Sequence, residues 1–166
     1  MNNIKITQSA QGRHIGVAGD NYNILISGRE TNGEYAVIDM TIPPGGGPLP
    51  HSHANIHEQF YVIEGELLFK TEAGHAVVTA GGAVDIPMGG AIHCFKNESN
   101  ENARMLCTVS PAGLEEFFIE IGDPVQPGEF LPPPSLTPEF LEKLDALNKK
   151  YGQVSYAPDY LDSANN

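Results

Sequence analysis

Three histidines and one glutamate are spaced so that they could meet around a cation. His51 and His53 are separated by one residue, so on an extended segment both imidazoles lie on the same face. Glu58 begins an apolar run five residues after His53, and His93 lies in another apolar run 35 residues further on. If the four side chains converge, they form a site for one divalent transition metal. Imidazole suits Fe, Ni, Cu, Zn or Co, and the carboxylate also admits Mn.

Each of these residues has a simpler interpretation when it is taken singly. A His-x-His pair on a strand is more often exposed than ligating, and a glutamate is usually solvated. The residues that frame them favour a site, because glycine and proline permit the tight turns that bring distant strands together. The first frame reads Gly45-x5-His51-x-His53-x4-Glu58-x6-Gly65, and the second reads Gly81-x5-Pro87 followed by Gly90-x2-His93-x3-Asn97.

The chain around these residues is typical of many short strands joined by tight turns, since it contains 18 Gly and 13 Pro. Strands at this spacing indicate an antiparallel sandwich or barrel. The predicted strands are Tyr22–Ser27, Tyr35–Ile42, Glu58–Ile63, Glu66–Thr71, His75–Thr79, Ala83–Ile86, Ile92–Lys96 and Ala103–Val109.

Alternation along the strands predicts which side chains enter the interior. If Glu58 and His93 face inward, the apolar residues two and four positions along their strands do so as well. The inward positions of two further strands are also apolar. The predicted substrate pocket is therefore lined by Ile38, Met40, Phe60, Val62, Phe95 and Met105. Such a lining favours a flat, largely neutral organic molecule, and His57, next to Glu58, is expected to point outward.

The pattern changes after Ser110. Leu114, Phe117, Phe118 and Ile121 have helical spacing, with Ser110-Pro111 as the expected cap and Gly122 as the stop. A proline-rich segment then leads to a second predicted helix, Pro138–Tyr151. We expect residues 1–122 to form the barrel domain, with 123–166 as a strap and C-terminal helix packed on it.

Net charge, apolar runs and cysteine content indicate which partners and which cellular location are to be expected. The 166 residues carry a formal net charge of −12, which disfavours nucleic acid and membrane surfaces as partners. The chain has no apolar run of about 20 residues and no secretory apolar core at its start, so we expect a cytoplasmic protein. Cys94 and Cys107 are too few for a disulfide scaffold and are expected to be reduced, buried thiols.

The two framed motifs resemble those of the cupin superfamily over about residues 35–110. One departure is an additional residue between Pro87 and His93. The resemblance implies a jelly-roll β-barrel that binds a metal through His51, His53, Glu58 and His93.

Within the superfamily the chain is similar to single-domain cupins related to quercetin 2,3-dioxygenases, on the segments PHSHANIHEQFYVIEGEL, GLEEFF and LEKLDALNKKYG. The resemblance implies O2-dependent ring cleavage of a flavonol-like or other enolic or aromatic small molecule, with Glu58 as both ligand and base. Two alternatives remain open: a non-oxidative metal-dependent isomerase or lyase, and a non-catalytic ligand-binding cupin. The resemblance also implies a homodimer, with Ile4–Gln8 as a candidate exchanged strand.

Overall fold

The computed structural model describes residues 4–8 and 10–162, which fold into two antiparallel sheets. The two helices are α1 (Leu114–Ile121) and α2 (Pro138–Tyr151). The strands are β1 (Arg13–Val17), β2 (Asp20–Ile26), β3 (Ala36–Ile42), β4 (His51–His53), β5 (His57–Glu64), β6 (Glu66–Thr71), β7 (Gly74–Thr79), β8 (Ala83–Ile86), β9 (His93–Lys96), β10 (Ala103–Ser110), β11 (Asp123–Pro124) and β12 (Gln153–Ser155).

The two sheets form the jelly roll that the motifs predict. The larger sheet has the order β11-β1-β2-β3-β10-β5-β8, and the smaller has the order β12-β4-β9-β6-β7. Neighbours that are distant in sequence, such as β3 and β10, are typical of this topology. The fold is therefore all-β apart from two short helices.

The core lies between the inner faces of the sheets and follows the predicted alternation. On β3, Ile38 and Met40 are fully buried, and β10 places Cys107 and Met105 directly opposite them. From the smaller sheet, Phe69 and Phe95 reach Phe60 of the larger sheet at ring-centroid distances of 5.5 and 5.7 Å. These aromatic contacts join the two sheets across the barrel.

Both predicted helices form, and one boundary differs from its prediction. α2 has the expected bounds, with the Thr137 hydroxyl accepting a hydrogen bond from the Phe140 N–H and Gly152 ending it in the left-handed conformation. α1 begins at Leu114 with Gly113 as its N-cap, so the Ser110-Pro111 cap is wrong. Ser110 instead ends β10, where pairing with β5 competes successfully with helix initiation.

Short strands that the periodicity did not predict complete both sheets. β1 pairs with β2, while β11 and β12, from the C-terminal part of the chain, extend the larger and the smaller sheet respectively. β11 and β12 have only two and three residues, too few to show a period, so only their pairing reveals them. No helix among the described residues combines the length and apolar character needed to cross a membrane.

Candidate metal centre

Strands from both sheets deliver the four predicted ligands to one place. β4 carries His51 and His53, β9 carries His93, and these two strands pair with His51 opposite His93. Glu58 arrives from β5 of the larger sheet. One ligand atom from each of the four residues lies within 4.8 Å of all the others. The structure therefore brings all four together across the barrel.

The distances within this cluster are short enough for direct interaction. Glu58 Oε2 is 3.1 Å from His93 Nε2 and 3.4 Å from His53 Nε2. The ring centroids of His51 and His93 are 4.5 Å apart, and each lies 5.2 Å from that of His53. Two imidazoles thus lie against one carboxylate oxygen, and the ring of the third, His51, lies beside them.

Backbone carbonyls orient two of the imidazoles. The Nδ1 atoms of His51 and His93 lie 2.9 Å from the carbonyl oxygens of Leu49 and Ala91. In a neutral imidazole whose Nδ1 donates to a carbonyl, Nε2 has a free lone pair, as in histidines that ligate metals. In both residues the carbonyl belongs to the residue two positions earlier, so the local turn sets the ring orientation.

His53 differs from the other two histidines because its ring nitrogens are buried without partners. Neither Nδ1 nor Nε2 makes a hydrogen bond to any described residue, and the residue is 2% exposed. A buried, unpaired nitrogen is costly. A cation near the cluster would supply the missing partner for Nε2.

The charges of the cluster are uneven. Burial alone would raise the pKa of Glu58, yet the His93 hydrogen bond and the neighbouring imidazoles outweigh it and lower that pKa to about 2. Burial, reinforced by His93, lowers the pKa of His51 to about 3, and burial also lowers that of His53. The bond to Glu58 outweighs burial at His93 and raises its pKa. The site therefore combines an anionic carboxylate, two neutral imidazoles and one imidazole that readily holds a proton.

The additional residue before His93 does not displace it from the cluster. Gly89 and Gly90 have φ values of 119° and 83°, in the region that favours glycine. The Gly89 N–H donates to the Ala54 carbonyl at 2.9 Å, which ties this loop to the segment after His53. Two adjacent glycines therefore accommodate the extra residue locally.

The residues present fit a divalent metal. Three imidazole nitrogens and one carboxylate oxygen are a common ligand set for first-row transition metals. His53, Glu58 and His93 are almost fully buried, whereas His51 is partly exposed. His51 is therefore the ligand nearest to solvent.

The other residues singled out in the sequence divide between interior and surface. All six side chains predicted to line the pocket are buried, with exposed fractions of 3% or less. His57 points away from the cluster and bonds to Asp85 at 2.7 Å. Asn97 fixes a turn by donating to the carbonyls of Ile42 and Glu101.

Two inner residues that sequence reasoning did not connect with the site are Phe69 and Cys107. Phe69 contacts both Phe60 and Phe95, and Cys107 lies 3.3 Å from Glu58. The alternation along β10 already indicated that Cys107 faces inward. Only the pairing of β10 with β5 shows that it meets Glu58.

Comparison with known proteins agrees with this geometry. Residues 38–109 match a family model described as a cupin domain. The quercetin 2,3-dioxygenase of Bacillus subtilis (strain 168) is 24% identical over 148 residues, which are 87% of this chain and 43% of that protein. The chain thus spans less than half the length of this relative.

Solved structures share the fold. The polyketide cyclase RemF of Streptomyces resistomycificus superposes with a TM-score of 0.59 at 19% identity, covering 84% of this chain and 92% of that one. KdgF from Halomonas sp. gives a TM-score of 0.60 at 15% identity, covering 69% and 99%. Residues 38–109 therefore match a cupin domain, and the chain as a whole resembles single-domain cupins similar to quercetin 2,3-dioxygenase.

Proposed function

We propose that the chain is a metal-dependent enzyme whose metal is held by His51, His53, Glu58 and His93. One divalent transition metal, Fe, Ni, Mn, Cu, Co or Zn, fits these donors. Two neutral imidazoles and one carboxylate are ready to bind, and His93 would ligate a metal through a deprotonated Nε2. The buried Nε2 of His53, which has no hydrogen-bond partner among the described residues, is the observation that most directly supports a cation here.

We further propose that the reaction is an O2-dependent ring cleavage of a flavonol-like or other enolic or aromatic small molecule. When bound, the metal supplies Lewis acidity toward an enolic oxygen and an environment for O2 chemistry. Glu58 is the proposed base, since it is the one carboxylate of the cluster and is ionised at neutral pH. Its low pKa makes it a weak base, so it suits a hydroxyl that is already acidic.

The interior next to the cluster supports an apolar, flat substrate. Phe60 and Phe95 lie two positions after Glu58 and His93 on the same strand faces, with their rings 5.7 Å apart. Ile38, Met40, Val62 and Met105 continue the apolar lining of the proposed pocket. No basic side chain is among these six, which argues against an anionic substrate such as a sugar phosphate.

Metal analysis followed by O2 uptake tests this proposal. The purified protein should contain about one transition metal per chain, and a His57→Ala control should retain it because His57 points away from the cluster. The protein is then loaded in turn with each candidate metal and supplied with a panel of flavonols and catechol-like enols. O2 consumption and carbon monoxide release are measured for each combination. Metal-dependent O2 consumption with ring-opened product is the expected result.

The same experiment separates the alternatives. Metal-dependent conversion of a substrate without O2 uptake would replace the dioxygenase with a non-oxidative isomerase or lyase. Ligand binding without conversion would leave a non-catalytic binding protein. A protein that takes up no transition metal would contradict the proposed site itself.

We also propose a cytoplasmic homodimer. Within the described part of the chain, residues 4–8 form no strand, and Ile4 and Ile6 are 92% and 75% exposed. Two exposed isoleucines on a segment outside the two sheets favour contact with a second copy. Light scattering on the wild type and on an Ile4→Asp/Ile6→Asp double variant measures the effect; a dimeric double variant would exclude this segment as the contact.

A further inference from the structure

Cys107 is a buried thiol beside the carboxylate of the proposed metal site. It lies on β10 at 0% exposure, and its Sγ is 3.3 Å from Glu58 Oε1. In the pairing of β10 with β5, Cys107 stands opposite Phe60 and Glu58 stands opposite Val109. Cys107 and Glu58 are therefore diagonal neighbours on one inner sheet face, where such side chains can touch.

The two oxygens of Glu58 have different surroundings. Oε2 faces the imidazoles, at 3.1 Å from His93 Nε2 and 3.4 Å from His53 Nε2. Oε1 instead accepts a hydrogen bond from Cys107 Sγ at 3.3 Å. The thiol is thus placed to donate a hydrogen bond to Oε1, while the imidazoles of His53 and His93 contact Oε2.

The thiol is suited to donate rather than to accept. A carboxylate offers lone pairs only, so the proton of this hydrogen bond comes from sulfur. An ordinary cysteine thiol has a pKa of about 8.5, so at neutral pH it carries the proton that the bond to Oε1 needs. Ionised acceptors strengthen a hydrogen bond about two-fold, which compensates for the weak donor.

We propose that Cys107 is a positioning residue for Glu58. Its S–H holds Oε1, so the carboxylate presents Oε2 alone to the centre formed by the three histidines. This inference rests on the proposed metal-binding role of Glu58. A carboxylate that binds through one oxygen leaves room for a substrate oxygen, whereas a carboxylate free to rotate can occupy that room with its second oxygen.

The simpler interpretation is that Cys107 only fills space, since buried thiols commonly act as small apolar groups. The two interpretations differ for matched substitutions. Cys107→Ser keeps a donor near Glu58, whereas Cys107→Ala removes the donor and keeps a small side chain. Cys94→Ser is the control, because Cys94 is also buried but packs against Ile92 and Leu161, away from Glu58.

Infrared spectroscopy of the metal-free protein tests the hydrogen bond directly. The two thiols give S–H stretching bands, and the band that disappears in Cys94→Ser belongs to Cys94. We expect Glu58→Gln to shift the remaining Cys107 band toward the frequency of a weakly bonded thiol, because a neutral amide is a poorer acceptor. An unmoved Cys107 band would overturn the proposal whatever the protein does with metal.

Cobalt(II) loading tests the consequence for the site. We expect Cys107→Ala still to bind one cobalt per chain, but with a visible absorption at most about half that of wild type. The reason is that binding by the second oxygen of Glu58 raises the coordination number of cobalt. Cys107→Ser should restore the wild-type spectrum, and Cys94→Ser should never lose it. Identical spectra for Cys107→Ala and wild type would assign Cys107 to packing and leave the metal site intact. Failure of the wild type to bind cobalt would instead reject both the site and this role.

Discussion

Two buried carboxylates in the same barrel have opposite properties. Glu58 and Asp20 are 2% and 0% exposed, so both lose their hydration. Burial raises the pKa of Asp20 to about 7, with only a Tyr22 hydroxyl, the Gly47 N–H and the more distant Lys96 opposing it. At Glu58 the same burial is outweighed by His93 and the other two imidazoles, which lower the pKa to about 2.

The two pKa values differ because the neighbouring groups of the two carboxylates differ, since both carboxylates are almost equally buried. Asp20 Oδ2 accepts from the Tyr22 hydroxyl and Oδ1 from Gly47, each at 3.2 Å, which are neutral donors. Glu58 instead lies against three imidazoles, and the His93 hydrogen bond together with their charges favours the ionised carboxylate. The Asp20 region is therefore built to tolerate a protonated acid, and the Glu58 region to attract a cation.

The largest expected effect comes from removing the charge at Glu58. Glu58→Gln keeps the shape of the side chain and removes its ability to accept a proton. We expect turnover of an identified substrate to fall about 10²- to 10⁴-fold, the usual contribution of a general base. Steady-state kinetics at equal metal content measures this loss. Asp20→Asn is the matched control and should retain activity; full activity of Glu58→Gln would show that the carboxylate is not the base.

The pH dependence of the free energy of unfolding should reveal the raised pKa of Asp20. The folded pKa of about 7 exceeds the ordinary value of 3.8 for an aspartic acid, so folding favours the protonated acid. This contribution is fully present below about pH 4 and is lost as the pH rises to about 7. A shift of this size corresponds to about 4 kcal/mol as an upper limit.

Urea unfolding of wild type and Asp20→Asn across this range measures the difference. Asparagine does not ionise, so its contribution to stability does not change with pH. The free energy of unfolding of Asp20→Asn should therefore rise relative to that of wild type as the pH increases from 4 to 7. A constant difference across these pH values would mean that Asp20 is not protonated in the folded protein near neutrality.

Metal binding should stabilise the protein through the Glu58 region. A ligand at 100 times its Kd stabilises the folded state by about 2.7 kcal/mol. His53→Ala should lose most of this gain, because it removes the imidazole whose nitrogens lack partners. Thermal unfolding with and without added metal measures the gain. His57→Ala is the control, and equal stabilisation of both variants would place the metal elsewhere.

The smallest expected effect concerns the support of the histidine strand. β12 pairs with β4, and the Tyr156 hydroxyl lies 3.3 Å from Ser52 Oγ, between the two histidines of that strand. Tyr156→Phe removes this contact and should cost about 1 kcal/mol. Urea unfolding measures the loss, with Tyr160→Phe as the control on the exposed side of the same segment. Equal losses in the two variants would show no special support of β4.

Several features of the site followed from sequence alone because they depend on local spacing. The His51-x-His53 pair needed only strand alternation, and the bounds of α2 needed only Thr137, Pro138 and Gly152. The inner positions of β3 and β10 likewise followed from alternation over seven or eight residues. The Ser110-Pro111 cap was wrong because pairing of β10 with β5 extends through Ser110, and sequence periodicity does not report pairing.

Tertiary structure decided which groups meet Glu58 and with what charge. Local patterns determine whether a side chain faces inward, since the strand period is two residues. They do not determine the register between strands, which places Cys107 diagonally from Glu58 and His51 opposite His93. Register also brings β12 from the far end of the chain to β4. The opposite pKa shifts of Glu58 and Asp20 depend on such contacts between distant residues, because the electrostatic environment of a buried group is set by its neighbours in space.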